Sequence, residues 1–292
     1  MFADIGGSGN ETRHIKKNSS RSLGLDLSCN AWGFSSLAIM SLGLASLTPE
    51  EGSSLSFALY KEVLVSKHYL SSFWNTFLLS LLSTLIALVV CIPAGIYIEG
   101  DKGNDRKLLA VALTIPLSLP GIVIGFFVII TFGLTGVVPK LFEIITGTRR
   151  LAFAYTFWGM LLGYVYFQIP RVVLTIRGAV SNISQDVLDS AKTLGASTMQ
   201  SYWHVILPTL KPSIISAASL SMATGFGAFG TAATLSRGYR VVPLEIATAF
   251  TENFQPKLAG AMSIILVLIT TMMLFGINRL ADLDKKTRGE GV

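Results

Sequence analysis

The chain has 292 residues, of which 51% are hydrophobic and 14% charged, and its formal net charge is +6. Soluble domains carry about 25% charged residues, so an ordinary water-soluble enzyme or binding module is excluded. The positive charge does not point to nucleic acid either, because the Lys and Arg residues fall between long apolar runs and form no patch.

Six apolar runs approach or exceed the roughly 20 residues that a helix needs to cross a hydrocarbon layer about 30 Å thick. They cover 27–48, 73–98, 108–132, 154–176, 212–236 and 259–280. The expected fold class is all-α, a polytopic membrane protein with six transmembrane helices over 27–280, an N-terminal tail over 1–26 and a C-terminal tail over 281–292. The N-terminal tail is rich in Ser, Asn, Gly and Lys. Its basic residues Arg13, Lys16, Lys17 and Arg21 follow a dozen polar positions, and the uncharged run Leu27 to Thr48 approaches spanning length. That pattern reads as a retained span and not as a cleaved secretory signal.

Residues 55–70 mix apolar and charged side chains and read either as a short helix at the membrane surface or as a connecting loop. The second span opens after Asn75-Thr76 and carries Pro93, and the third carries Pro116 and Pro120. Proline inside a spanning helix leaves a carbonyl unpartnered, so kinks are expected there. In the fourth span Arg171 follows Pro170 and, apart from Arg279 at the end of the sixth, is the only Lys or Arg within an apolar segment. Near the predicted cytoplasmic end such a side chain reaches polar headgroups; the alternative is a functional charge inside the membrane. Tyr164, Tyr166 and Gln168 beside it face either a cavity or another helix. With both termini placed in the cytoplasm, inner segments hold 14 Lys and Arg residues, counting Arg279 at the inner end of the sixth span, and outer segments 8, the bias expected of that orientation.

The inner segment 184–208 carries the most specific pattern. Val187, Ala191 and Leu194 recur at helical spacing behind Ser184-Gln185-Asp186, whose Asp suits a helix N-terminus. Gly195 follows where a positive φ costs least, and Ser197 with Gln200 matches a capping box for a second helix. That helix places Met199, Tyr202 or Trp203, and Ile206 on one face, and Pro208 is expected to end it. Two short helices with an apolar face and no lipid to bury it require cover from a protein partner or from the rest of the subunit.

This segment resembles the EAA loop of permease subunits in ATP-binding-cassette importers: E-A-A, three residues, G, nine residues, I, one residue, L-P. Asp189-Ser190-Ala191, Gly195, Val205 and Leu207-Pro208 occupy those places, with Asp for Glu, Ser for the first Ala and Val for Ile. The resemblance extends over about 70–280, including Val242-Pro243-Leu244-Glu245. It implies the type I importer permease fold and a loop that docks on the ATP-hydrolysing subunit. It further implies two ATP-binding subunits that carry the ATP and Mg, a second permease subunit of the same or a sister chain, and a periplasmic or lipid-anchored solute-binding protein. The chain would then sit in the bacterial cytoplasmic (inner) membrane, with a polyamine as the expected solute and ferric iron, phosphonate, thiamine or an oxyanion as alternatives.

Gly225, Phe226, Gly227, Phe229 and Gly230 alternate small and aromatic residues in the fifth span. Such spacing permits close helix packing. In similar permeases this region lies near the pathway, where the phenylalanines would form a gate. Glu245 is placed on the outer side, either to meet a binding protein or to be solvated. No metal or cofactor site is expected in this chain: Cys29, Cys91, His14, His68 and His204 are scattered. The sequence also lacks a G-x-x-x-x-G-K-[ST] phosphate loop, so an ATPase activity is not expected of this subunit. An ion-gradient-driven transporter is the principal rival, but no Asp or Glu lies centrally in any predicted span.

Overall fold

The structure, a computed structural model, describes residues 47, 57–99, 108–109, 111–113, 115–147 and 152–287. All regular elements among the described residues are helical. They are α1 (Ala58–Val65), α2 (Lys67–Glu99), a 3₁₀ turn at Ile115–Ser118, α3 (Gly121–Phe132), α4 (Val137–Thr146) and α5 (Phe157–Val180). There follow α6 (Gln185–Thr193), α7 (Thr198–Ser201), a π turn at Tyr202–Ile206, α8 (Leu207–Phe226), α9 (Phe229–Leu235), α10 (Val242–Thr251) and α11 (Pro256–Thr287). Five stretches among the described residues are long and apolar enough to cross a membrane: Lys67–Glu99, Gly121–Thr146, Phe157–Val180, Thr198–Phe226 and Pro256–Arg279. The expected first span, 27–48, lies outside the described residues except for Leu47, as does the tail 1–26.

Three boundaries differ from the sequence expectation. Helix is not continuous over 108–132: Pro120, with φ −58° and ψ 145°, is the N-cap of α3. Its missing N–H costs nothing at a helix start, whereas inside a helix it would orphan a carbonyl. The crossing here is built instead from α3 and α4, which a tight Gly133–Gly136 turn joins through the Gly136 N–H to Gly133 O bond of 2.8 Å. The fifth span breaks where α8 ends at Phe226, because Ala228 has ψ 67°. The last helix continues to Thr287, so residues 281–287 of the expected C-terminal tail are helical. Residues 58–65 take the helical one of their two readings, and α1 buries Val63 against Val242, Leu258 and Met262 of α10 and α11.

Packing divides into levels along α2 and α5. Leu79, Val128, Met160, Tyr164, Ala232 and Leu235 join α2, α3, α5 and α9. At the other end Cys91, Ile98, Val172, Ile176, Leu210 and Ala217 join α2, α5 and α8. Between these apolar levels lie Ser80, Ser83, Thr84, Gln168 and Ser221, each almost fully buried. The Gln168 Nε2–H donates to Ser83 Oγ at 2.9 Å and ties α5 to α2. Where α2 and α5 end, Arg177 Nε meets Glu99 Oε2 at 3.1 Å, half-exposed.

Close helix approach depends on glycine at Gly225, where an added Cβ would stand 2.8 Å from Ser80 Oγ and 3.2 Å from its Cα. Part of that clash is with backbone, which cannot rotate away. Gly225→Val is expected to destabilise the subunit by about 1–3 kcal/mol, as overpacked sites do, and to lower its melting temperature in detergent. Gly227→Ala, whose Cβ meets nothing nearer than Thr224 O at 3.9 Å, is expected to leave the melting temperature unchanged.

Candidate coupling loop and pathway face

The segment between α5 and α8 is organised by its own side chains. Ser184 Oγ accepts the Asp186 N–H at 3.2 Å as α6 begins. Within α6, Ser190 Oγ donates to Asp186 O at 2.6 Å and Thr193 Oγ1 to Asp189 O at 2.8 Å. The helix ends in a Schellman turn: the Ala196 N–H reaches Ala191 O at 3.0 Å across Gly195, whose φ is +83°. Ser197 then caps α7 reciprocally, with Gln200 N–H to Ser197 Oγ at 3.3 Å and Ser197 N–H to Gln200 Oε1 at 2.8 Å.

Pro208 does not end the second helix, contrary to the sequence expectation. The backbone widens into a π turn in which the Leu207 N–H donates to Tyr202 O, five residues back. In that register the ring of Pro208 fits near the start of α8, where a missing N–H is tolerated. Thr209 Oγ1 donates to Val205 O at 2.7 Å and supplies a carbonyl in the widened turn with a partner. Helix is therefore unbroken from Thr198 to Phe226, 29 residues. Ile206 packs on the core formed by Leu210, Ala217 and Ile98, while Val187, Leu194, Met199 and Trp203 stand exposed, Leu194 at 88%. Of the motif positions, Asp189, Ser190 and Gly195 lie at the surface, and Ala191, Val205, Leu207 and Pro208 are half-buried.

The residues around the α8–α9 break separate by environment. Gly225 abuts Ser80 of α2, and an added Cβ on Gly230 would stand 2.9 Å from the Ile122 N of α3. Phe226 is buried and meets the Phe77 ring edge-on at 6.5 Å. Gly227 has open space around it. Phe229 is 41% exposed and lines a largely apolar groove of about 380 Å³ with Pro243, Ile246, Phe250, Pro256 and Ser263. The break frees backbone groups inside an apolar layer, and Tyr164 of α5 answers one of them, its hydroxyl donating to Ala228 O at 3.1 Å.

Glu245 lies in an ionic cluster. Its Oε2 is 3.0 Å from His68 Nε2 and its Oε1 3.9 Å from Arg240 Nε. Arg240 Nη1 is 2.6 Å from His68 Nδ1. A guanidinium can only donate, so Nδ1 accepts and the proton sits on Nε2, facing Glu245. Beside this cluster Asn75 Nδ2 donates to Arg240 O at 3.0 Å, and Thr76 Oγ1 accepts the Val242 N–H at 2.9 Å. The start of α10 is thus held by α2.

Arg171 does not reach for the end of its helix. Its Nη1 donates to Phe167 O at 2.9 Å and its guanidinium lies 4.3 Å from the Phe167 ring centroid. Helical side chains lean toward the N-terminus, which here carries the charge toward the midpoint of the 24-residue α5. Tyr164, Gln168, Arg171 and Thr175 form one polar stripe at helical spacing. Among the described residues, no group of three or more His, Cys, Asp or Glu side chains is placed to hold a metal ion.

The family described as binding-protein-dependent transport system inner membrane component matches residues 91–286. The chain belongs to this family. It is a multi-pass inner-membrane permease component of the ATP-binding-cassette importer class, and the matched range contains the loop 184–208, the α8–α9 break and Glu245. The molybdenum transport system permease protein ModB of Mycobacterium tuberculosis is 26% identical over 210 residues, covering 70% of this chain and 77% of the relative. The sulfate transport system permease protein CysT of Escherichia coli is 25% identical over 230 residues, covering 77% and 81%. A solved bacterial alginate ABC transporter, in complex with alginate pentasaccharide-bound periplasmic protein, shares the fold at a TM-score of 0.77 and 17% identity. That match covers 92% of this chain and 96% of the solved one.

The family profile coincides with a loop whose local order depends on few atoms. Ser197→Ala removes the acceptor of the Gln200 N–H and is expected to cost about 1 kcal/mol of local stability. Amide exchange over 198–201 should rise about fivefold, while exchange in the middle of α11 stays unchanged.

Proposed function

We propose that the chain is a translocation subunit of an ATP-driven importer for a small oxyanion, molybdate or sulfate in kind, working by alternating access. A solute-binding protein delivers the anion to the outer mouth. Two separate ATP-binding subunits, which hold the ATP and Mg, close on the cytoplasmic side. A second permease subunit, of this chain or a sister, completes the pathway. Both termini face the cytoplasm on this reading, in keeping with the distribution of Lys and Arg.

The observation that carries the coupling role is mechanical. An exposed apolar face at Val187, Leu194, Met199 and Trp203 sits on a loop continuous with α8. A partner that grips this face is linked to α8 through helix that runs from Thr198 to Phe226, with Pro212 inside it. Asp189, Ser190, Ala191, Gly195, Val205, Leu207 and Pro208 are assigned to this contact and its support. Phe229 and the groove beside it belong to the pathway, with Gly225, Phe226, Gly227 and Gly230 shaping the helix break behind it. Glu245 positions α10 through His68 and Arg240, and any contact with the binding protein is made through that braced end.

The oxyanion reading draws on the relatives named for molybdenum and sulfate transport, and on the absence of Asp and Glu from the middle of the described spans. The polyamine favoured by the sequence alone has no support among those relatives. A dication would also gain nothing from Arg171, the positive charge held near the middle of α5.

Affinity purification from gently solubilised membranes should recover an ATPase and a second permease subunit with this chain. Leu194→Asp or Trp203→Asp is expected to lower solute-stimulated ATP hydrolysis at least about tenfold, the effect of a charge forced into an apolar contact. The subunit should remain inserted. Undiminished stimulation in both variants would remove the loop from the contact.

A further inference from the structure

The family fold accounts for the loop and the helix break, but not for a positive charge held near the middle of α5. Arg171 is half-buried, and no carboxylate pairs with it among the described residues, whereas Glu245 pairs with His68 and Arg240, and Glu99 with Arg177. An uncompensated charge is costly at that depth, and a side chain free to extend would carry it to the polar boundary. This one does the opposite. Its guanidinium turns back along the helix to Phe167 O at 2.9 Å and over the Phe167 ring at 4.3 Å. The backbone of Arg171 is itself engaged, since Thr175 Oγ1 donates to Arg171 O at 2.8 Å. Of the five N–H donors of a guanidinium, one is used by Phe167 O, and the Phe167 ring steadies the head group.

We propose that Arg171 is an anion-binding residue of the translocation route, whose remaining N–H donors meet the transported oxyanion midway along α5. The proposal rests on the oxyanion reading above. The chemistry fits: a planar fork of donors matches two oxygens of a tetrahedral oxyanion, and a site poor in water strengthens the attraction. The same charge rejects cations, so the residue sets selectivity within the membrane as well as affinity. Tyr164 and Gln168, the earlier members of the stripe, are committed to Ala228 O and Ser83. Arg171 is the member with donors to spare.

The test uses the complete importer, with its ATPase and binding protein, in proteoliposomes. The probes are radiolabelled sulfate, molybdate and, as a cationic counter-probe, putrescine. The readout is the number of anions moved per ATP hydrolysed. Arg171→Gln is expected to lower that ratio about tenfold, and Arg171→Lys, which keeps a point charge but loses the fork, about threefold. Arg171→Met keeps an apolar stem over Phe167 and serves where the Gln variant fails to insert, with the tenfold loss again expected. A wild-type importer that moves an oxyanion, with ratios in the Gln or Met variants within twofold of it, overturns the assignment and leaves the oxyanion reading standing. Loss of transport and hydrolysis in constant proportion marks a structural residue and overturns it equally. Import of putrescine and of neither oxyanion by the wild type overturns the oxyanion reading and the site with it.

Discussion

An apolar layer offers the backbone no hydrogen-bonding solvent, so each interruption of a spanning helix must be answered from within the protein. The architecture follows from how three interruptions are answered. At the start of α3, Pro120 occupies the N-cap, where it has no donor to lose. At the α8–α9 break, the Tyr164 hydroxyl crosses from α5 to Ala228 O. At the start of α10, Thr76 of α2 takes up the Val242 N–H. The last two solutions each tie one helix to another, the α8–α9 break to α5 and α10 to α2, so that α2 and α5 serve as a frame for them.

The same accounting explains the loop. A proline in mid-helix normally ends or kinks it, and Pro208 would have uncoupled α7 from α8. The π turn removes that joint by changing the register from four residues to five, with the Leu207 N–H on Tyr202 O. What remains is a hydrogen-bonded left-handed turn at Gly195 and continuous helix beyond it, with Pro212 inside. Gly195 stands in open space at φ +83°, so its role is conformational: a side chain there meets no neighbour but strains the backbone. On the proposed reading, the exposed Leu194 and Trp203 are where an ATP-binding subunit takes hold.

Legibility in the sequence followed the range of the interaction. The capping box of Ser197 and Gln200 and the left-handed Gly195 are set by neighbours within a few residues, and both were readable. The all-helical class and the positions of most spans were readable too, because hydropathy accumulates over a whole helix. Pro208 misled because the rule for proline assumes a four-residue register that the π turn abandons. The break at Ala228 was hidden because hydropathy averages across it. The ties that answer the breaks join residues 64, 166 and 177 positions apart, Tyr164 with Ala228, Thr76 with Val242 and His68 with Glu245. No local pattern announces such pairs. A Tyr, a Thr or a His in an apolar segment signals only that some partner exists.

Arg171 illustrates the opposite limit, where the residue was conspicuous in the sequence and its direction was not. Position near one end of an apolar run favours escape to the headgroups, and that argument treats the helix as a bare cylinder. On a real helix the side chain leans toward the N-terminus, and the Phe167 ring and carbonyl one turn away offer the guanidinium both a face and an acceptor. These local contacts hold the charge where the membrane alone would expel it. With no carboxylate paired to it among the described residues, the local field there is positive, which on the proposed reading favours an anion over a polyamine.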